Sequence, residues 1–142
     1  MVEVLIGRQY PLKLIEIIDQ SKSSIKILMY DWRWYSHQPG SLIQKLNQSI
    51  IRARKRGVEV TALLNHGGIK DTLKENKINV KVRDSSKTMH IKLIIIDDQK
   101  MFLGSHNLSI NAFHLNYEMS LFLDDIESVK KCLTFFNQLC HL

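Results

Sequence analysis

Two short apolar runs constrain this chain more than any other feature. Leu93, Ile94, Ile95 and Ile96 are followed, after Asp97-Asp98-Gln99-Lys100, by Met101, Phe102, Leu103 and Gly104. Apolar runs of this length, bounded by turn formers, read as strands covered on both faces. A polar link so short joins them as an antiparallel hairpin. A hairpin of that kind needs a sheet around it and helices over it, so the rest of the chain must supply both.

It does, by alternation. Residues 2–6 form a short apolar run, then Pro11 sits in a first helical turn with Leu14, Ile15 and Ile18 on one face. Residues 24–30 read as a central strand. Ser41 and Gln44 have capping-box spacing ahead of Ile43, Leu46, Ile50 and Ala53, and Gly57 stops that helix. Residues 58–64 are a buried strand, followed by a Gly67-Gly68 break and a short helix through Leu73. Residues 78–83 alternate strictly, as a strand exposed on one side does. After the hairpin, residues 116–123 form another strand. A last helix, opened by Asp124 or Asp125, repeats Ile126, Val129, Leu133, Phe136 and Cys140 on one face. The expectation is α/β: one domain over 1–142, a mixed sheet sandwiched between helices.

Composition removes several classes. With 44% hydrophobic and 24% charged residues the chain is neither disordered nor membrane-spanning, since no apolar run reaches about 18 residues. The opening MVEVLIGRQYPLK lacks the pattern of a signal peptide. Cys132 and Cys140, eight residues apart on one helix, are too distant to bridge and too few for structural zinc. They read as buried thiols, and the expected location is cytoplasmic. The net charge of +6 favours nucleic acid, an acidic membrane surface or a phosphate ester. Arg52, Arg54, Lys55 and Arg56 add a basic run, although cations ending a helix also complement its dipole.

The hairpin's ends are its anomaly. A two- or four-residue turn pairs Ile96 with Met101 and Ile94 with Leu103, which continues to Lys92 opposite Ser105 and His90 opposite Asn107. A cation, an imidazole, a hydroxyl and an amide then converge, the composition of an oxyanion site. Gly104 beside them would admit a ligand close to the backbone. Asp97 has the opposite parity and reads as structural, and His106 points away from the cluster. No carboxylate cluster suggests magnesium or calcium, and one imidazole without thiolates does not suggest zinc. The expectation is no metal and no cofactor. In the loop of residues 31–40, Trp32, Arg33, Trp34 and Tyr35 could stack bases, pack into the core or an interface, or dip into a bilayer.

The pattern His90-x-Lys92-x4-Asp97-x6-Gly104-Ser105-x-Asn107, with Glu118 downstream, resembles the signature of the phospholipase D superfamily. That resemblance implies a phospholipase D-like fold and a metal-independent phosphodiesterase. His90 would form a covalent phosphohistidine, and Lys92, Ser105 and Asn107 would hold the phosphoryl oxygens. Glu118 would orient the histidine pair, and Asp97 belongs to the written motif. The chain carries one H-x-K, whereas larger members carry two. The second histidine is therefore expected from a second copy, in a homodimer with one site at the two-fold axis. Single-motif members resemble small bacterial endonucleases acting on DNA or RNA, or membrane-associated enzymes acting on cardiolipin-type phospholipids. The expected function is a nuclease; a phospholipid hydrolase and a binding module with a vestigial site are the alternatives.

Overall fold

The hairpin lies in the middle of a seven-stranded sheet. The computed structural model describes residues 1–83 and 86–141. Its elements run β1 (Val2–Ile6), α1 (Gln9–Asp19), β2 (Ser24–Met29), α2 (Leu42–Lys55), β3 (Glu59–Leu64), α3 (Lys70–Glu75) and β4 (Asn79–Val82). Then come β5 (Lys92–Ile96), β6 (Lys100–Gly104), a π-helical turn (Asn111–Leu115), β7 (Met119–Leu123) and α4 (Ile126–Cys140). The strand order is β1-β7-β6-β5-β2-β3-β4. Pairing is parallel for β2–β3 and β3–β4 and antiparallel elsewhere, so the sheet is mixed, as the sequence predicts.

Two apolar layers hold the helices on. Leu14 and Ile18 of α1 and Ile43, Leu46 and Ile50 of α2 pack with Ile25, Ile27, Ile94, Ile96 and Phe102. On the other face Val129 and Phe136 of α4 cover Leu28, Leu63, Leu93, Ile95 and Met101. Period-2 alternation along β2 and β5 explains why one strand feeds both layers. Helix ends follow their caps: Ser41 Oγ accepts from the Gln44 amide at 3.3 Å, and Asp125, not Asp124, accepts from the Ser128 amide at 3.0 Å. The reciprocal half of the α2 capping box is not made. Gln44 Oε1 instead accepts from the Tyr35 amide (2.8 Å) and Asn47 Nδ2 (3.0 Å). Gly57, at φ 99°, ends α2 in a conformation that favours glycine. Cys132 and Cys140 are unbridged and only half-buried.

The hairpin register differs from the expected one by a single residue. Ile96 pairs with Lys100 and Leu93 with Leu103, so three residues intervene and not two or four. Asp97 and Asp98 both take left-handed backbone, φ 56° and 52°, and the Gln99 amide closes on the Ile96 carbonyl at 3.1 Å. Aspartate tolerates that region better than most residues. The shift removes the predicted pairs Lys92–Ser105 and His90–Asn107. The predicted strand over 116–123 is also shorter, beginning at Met119.

The topology gathers particular strand ends. Met29, Leu64, Lys92, Gly104, Met119 and Ile6 all lie at one end of the sheet, by the registers of neighbouring strands. The Asp97 turn and the last residues of α2 lie at the other.

Candidate active site

Each strand end contributes one or two side chains to the first of these ends. His90, exposed, precedes β5, and half-buried Lys92 opens it. The Lys92 ammonium stands 2.9 Å from His90 Nδ1, and because lysine only donates, that nitrogen accepts. Both rest on Tyr30, the residue after β2. The Tyr30 ring centroid is 4.5 Å from the His90 ring and 5.5 Å from Lys92 Nζ. Burial lowers the Lys92 pKa, opposed by the negative charge of Glu118.

The chain leaves β6 at Gly104, and this break, in place of strand pairing, redirects Ser105 and Asn107. Ser105 Oγ donates to Glu118 at 2.5 Å and accepts from the Met119 amide at 3.0 Å. Its single proton is therefore engaged within the chain. Glu118 also accepts from Asn116 Nδ2 at 3.0 Å and makes no hydrogen bond to His90 of its own chain. Asn107 is set by a bridge between Trp32 and Leu108: the Leu108 amide donates to the Asp31 carbonyl at 3.0 Å. Asn107 Oδ1 accepts from the Asp31 amide at 3.1 Å, which leaves Nδ2 as the outward donor.

Three residues of the expected set have structural parts, and Asp97 is the one that sits elsewhere, as its parity predicts. Asp97 is at the opposite end of β5, roughly 16 Å of extended chain from Lys92. There it accepts from the amides of Lys22, Ser23 and Ser24 and from the Ser23 hydroxyl, at 2.8–3.1 Å. Partial burial works against its ionisation, but the donors from residues 22–24 outweigh it and hold its pKa below the usual carboxylate range. Trp32 is a core residue, 5% exposed, whose Nε1–H donates to buried Asn47 at 2.8 Å. Gly104 does not open space for a ligand. A Cβ there would meet the Ser120 Cα at 2.4 Å, so glycine admits the neighbouring strand.

Arg33 is exposed with its Nε 3.2 Å from both Asp31 oxygens, and Trp34 is half-buried. His106 stays away from the cluster, as expected: it is buried, donates from Nε2 to the Gly7 carbonyl (2.9 Å) and accepts at Nδ1 from Ser120 Oγ (2.7 Å).

Sequence reading missed Tyr30 and His66. The His66 ring stands edge-on to Tyr30 at 4.8 Å. Both follow parallel strands at their C-terminal ends, where open α/β sheets bind ligands, and that rule was the available signal. The basic run at the end of α2 serves the fold, the structural one of its two readings. Arg52 pairs with Asp19, Arg54 caps the Lys77 carbonyl and Arg56 caps Ile18 and Ser21, all at the end away from His90.

Among the described residues no group of three or more His, Cys, Asp or Glu is placed to hold a metal ion. No helix among them is long and apolar enough to cross a membrane.

Comparison with known proteins fixes the family. Residues 14–140 match the family model described as cardiolipin synthase, PLD-like domain. The chain belongs to the phospholipase D-like family. Cardiolipin synthase A of Pectobacterium carotovorum is 27% identical over 114 residues, 67% of this chain and 22% of that protein. Phospholipase D of Rickettsia prowazekii is 27% identical over 118 residues, 79% of this chain and 53% of that protein. The chain thus spans about a fifth to a half of these relatives. Among solved structures, NucT from Helicobacter pylori superimposes with a TM-score of 0.79 at 26% identity, covering 99% of this chain and 96% of that one. Nuc from Salmonella typhimurium, described as a phospholipase D family member, shares the fold at 19% identity, TM-score 0.79, covering 97% and 93%. Within this phospholipase D-like chain, His90, Lys92, Ser105, Asn107 and Glu118 all stand at one end of the sheet.

Proposed function

We propose that the chain is a metal-independent phosphodiesterase, a nuclease cleaving DNA or RNA through a phosphohistidine at a composite site in a homodimer. The observation that carries this reading is the exposed His90 imidazole held 2.9 Å from the Lys92 ammonium with the Asn107 amide turned outward. A ring nitrogen of His90 attacks phosphorus, the P–O bond to the leaving group breaks, and a second His90 from the other subunit protonates the departing oxygen. That histidine then takes a proton from water, which attacks phosphorus and releases His90. Lys92 and Asn107 Nδ2 hold the non-bridging oxygens, where charge builds in the transition state. Ser105 fixes Glu118, whose carboxylate accepts an imidazole N–H and so orients the histidine pair in this reading.

A second copy also has a surface to occupy. Val2, Val4 and Ile6 share a sheet face with Leu123, Leu121 and Met119 on the α4 side. Val4, Ile6 and Met119 are 50%, 57% and 55% exposed, beside exposed Phe135 on α4. An apolar face of this kind is unusual on a monomer. It reaches Ser105 and Glu118 through a hollow also lined by Ile6 and Met119.

Nucleic acid is favoured over lipid by the net charge of +6 and by the near-complete match in length to NucT, against about a fifth of a cardiolipin synthase. Hydrolysis of a phospholipid headgroup, the reaction class that the name of the Rickettsia prowazekii phospholipase D carries, is the second reading. The test is cleavage of labelled single-stranded DNA, RNA and bis(4-nitrophenyl) phosphate in excess EDTA, with His90→Ala alongside. Cleavage is expected to vanish in the variant. In mixed dimers co-expressed from both genes, activity should fall with the square of the native fraction. Loss in EDTA, or a linear fall, would contradict the mechanism.

A further inference from the structure

Beside the His90 cluster lies a cleft of about 440 Å³ between the loop after β2 and the loop after β3, lined by Asp31, Trp32, Arg33, Trp34, His66, Gly68 and Ile69. We propose that it is a subsite for one unstacked nucleobase of a single-stranded nucleic acid whose phosphodiester sits at His90. This deepens the nuclease reading and rests on it.

Position comes first. His66 lines the cleft and packs against Tyr30 at 4.8 Å, and Tyr30 packs against His90 at 4.5 Å. An occupant touching His66 is therefore linked to the nucleophile through the His66 and Tyr30 rings, which suits a base close to the scissile phosphate.

The lining chemistry selects the occupant. Half-buried Trp34 and exposed His66 offer planar faces for stacking. Asp31 and Arg33 offer an acceptor and donors to a polar edge. Arg33 is the cleft's one cation among these residues, and its Nε already faces both Asp31 oxygens at 3.2 Å. A locally balanced pair does not build a phosphate site, which would need unpaired positive charge. An acyl chain needs a mainly apolar groove, and Asp31, Arg33 and His66 do not make one. A flat, edge-polar, uncharged group remains. A base in duplex has its faces covered by neighbours, so the strand that enters must be single.

The cleft is also preformed. Buried Asn47 accepts from Trp32 Nε1 at 2.8 Å and donates to the Arg33 carbonyl at 3.1 Å and to Gln44 at 3.0 Å. Gln44 in turn holds the Tyr35 amide at 2.8 Å, and the Tyr35 hydroxyl accepts from the Ile110 amide at 3.1 Å. The loop carrying Arg33 and Trp34 is thus fixed before binding, which lowers the entropy lost on association.

The experiment uses the cleavage-defective His90→Ala protein and fluorescence anisotropy with a labelled single-stranded hexanucleotide. Trp34→Ala and His66→Ala, each added to His90→Ala, should weaken binding about 10-fold, the scale of one lost stacking partner. His66→Phe should restore most of the affinity. Because His66 is exposed, its variants test the idea without disturbing the core. A hexanucleotide abasic beside the central phosphate should bind about as weakly as the Trp34 variant, and the two losses should not add. Equal affinity in all variants, undiminished binding of the abasic strand, or binding of cardiolipin vesicles but no oligonucleotide would each overturn the proposal. Turnover of bis(4-nitrophenyl) phosphate depends on His90 and not on a base, so the phosphodiesterase reading and this subsite fail separately.

Discussion

The two ends of β5 both carry polar motif residues, and they are built to opposite rules. At one end Asp97 has three backbone amides and a hydroxyl on its carboxylate, and Asp98 pairs with Lys26 at 2.7 Å. At the other, among the described residues, Lys92 has only the His90 ring as a side-chain hydrogen-bond partner, and Asn107 keeps Nδ2 unengaged. A polar group with its bonding capacity filled from within the chain stabilises the fold. One held in place with capacity left over is available to a ligand. The same contrast separates the histidines: both ring nitrogens of His106 are bonded inside the chain, and His90 is exposed.

The largest expected effect is at the open end. Lys92→Ala should lower turnover of bis(4-nitrophenyl) phosphate by about a thousand-fold, the scale for a transition-state donor, with an unchanged circular dichroism spectrum. A loss under ten-fold would dissolve the contrast. Asp97→Ala should do the reverse, removing about 2 to 4 kcal/mol of stability for several charge-assisted bonds lost together. Urea titration reads this, and kcat of the folded fraction should stay within two-fold of native. If kcat collapses while stability holds, Asp97 has a chemical part that its position does not provide.

The third effect is pH-dependent. Burial lowers the His106 pKa, against the raising influence of the Gly7 carbonyl and the Glu118 charge. A histidine depressed on folding stabilises above its unfolded pKa of about 6.5, and that contribution is lost as pH falls through the folded value. Tm should therefore decline between pH 7 and pH 5, and His106→Phe should flatten this segment. Asp97, also depressed, acts by the same sign in a lower window, below about pH 3.9. Smallest of all, Arg54→Gln should change oligonucleotide affinity less than two-fold, because Arg54 caps the Lys77 carbonyl at the closed end. A larger drop, by anisotropy, would extend the substrate path around the molecule.

Much of this was legible before any coordinates. Strand-helix alternation specified the layers, and the motif residues other than Asp97 stand at one end of the sheet. Register was not legible, because it depends on whether Asp97 and Asp98 both enter left-handed backbone, a choice made by the amides of residues 22–24. The convergence of Ser105 and Asn107 survived that error for a different reason, the break after Gly104. Which of the open alternatives Trp32 takes, the core, was not legible because an indole in a loop looks free until its partner is known. The clue was two polar residues, Gln44 and Asn47, on the inner face of α2. Tyr30 and His66 belong to no local pattern; only sheet topology brings them to His90.

The three-residue loop over 97–99 has a consequence for inheritance. Five positions separate Lys92 from Asp97, and that interval is the span of the strand from the working end of the sheet to its anchor. Asp97 thus acts as a length gauge, which keeps β5 in phase with β2 so that the lysine emerges at the right level. Diverged copies can then be sorted by which letter they lose. A copy lacking the histidine but keeping the aspartate retains the scaffold without the chemistry. A copy lacking the aspartate has lost the gauge, and its surviving histidine no longer marks a site unless another anchor has taken its place.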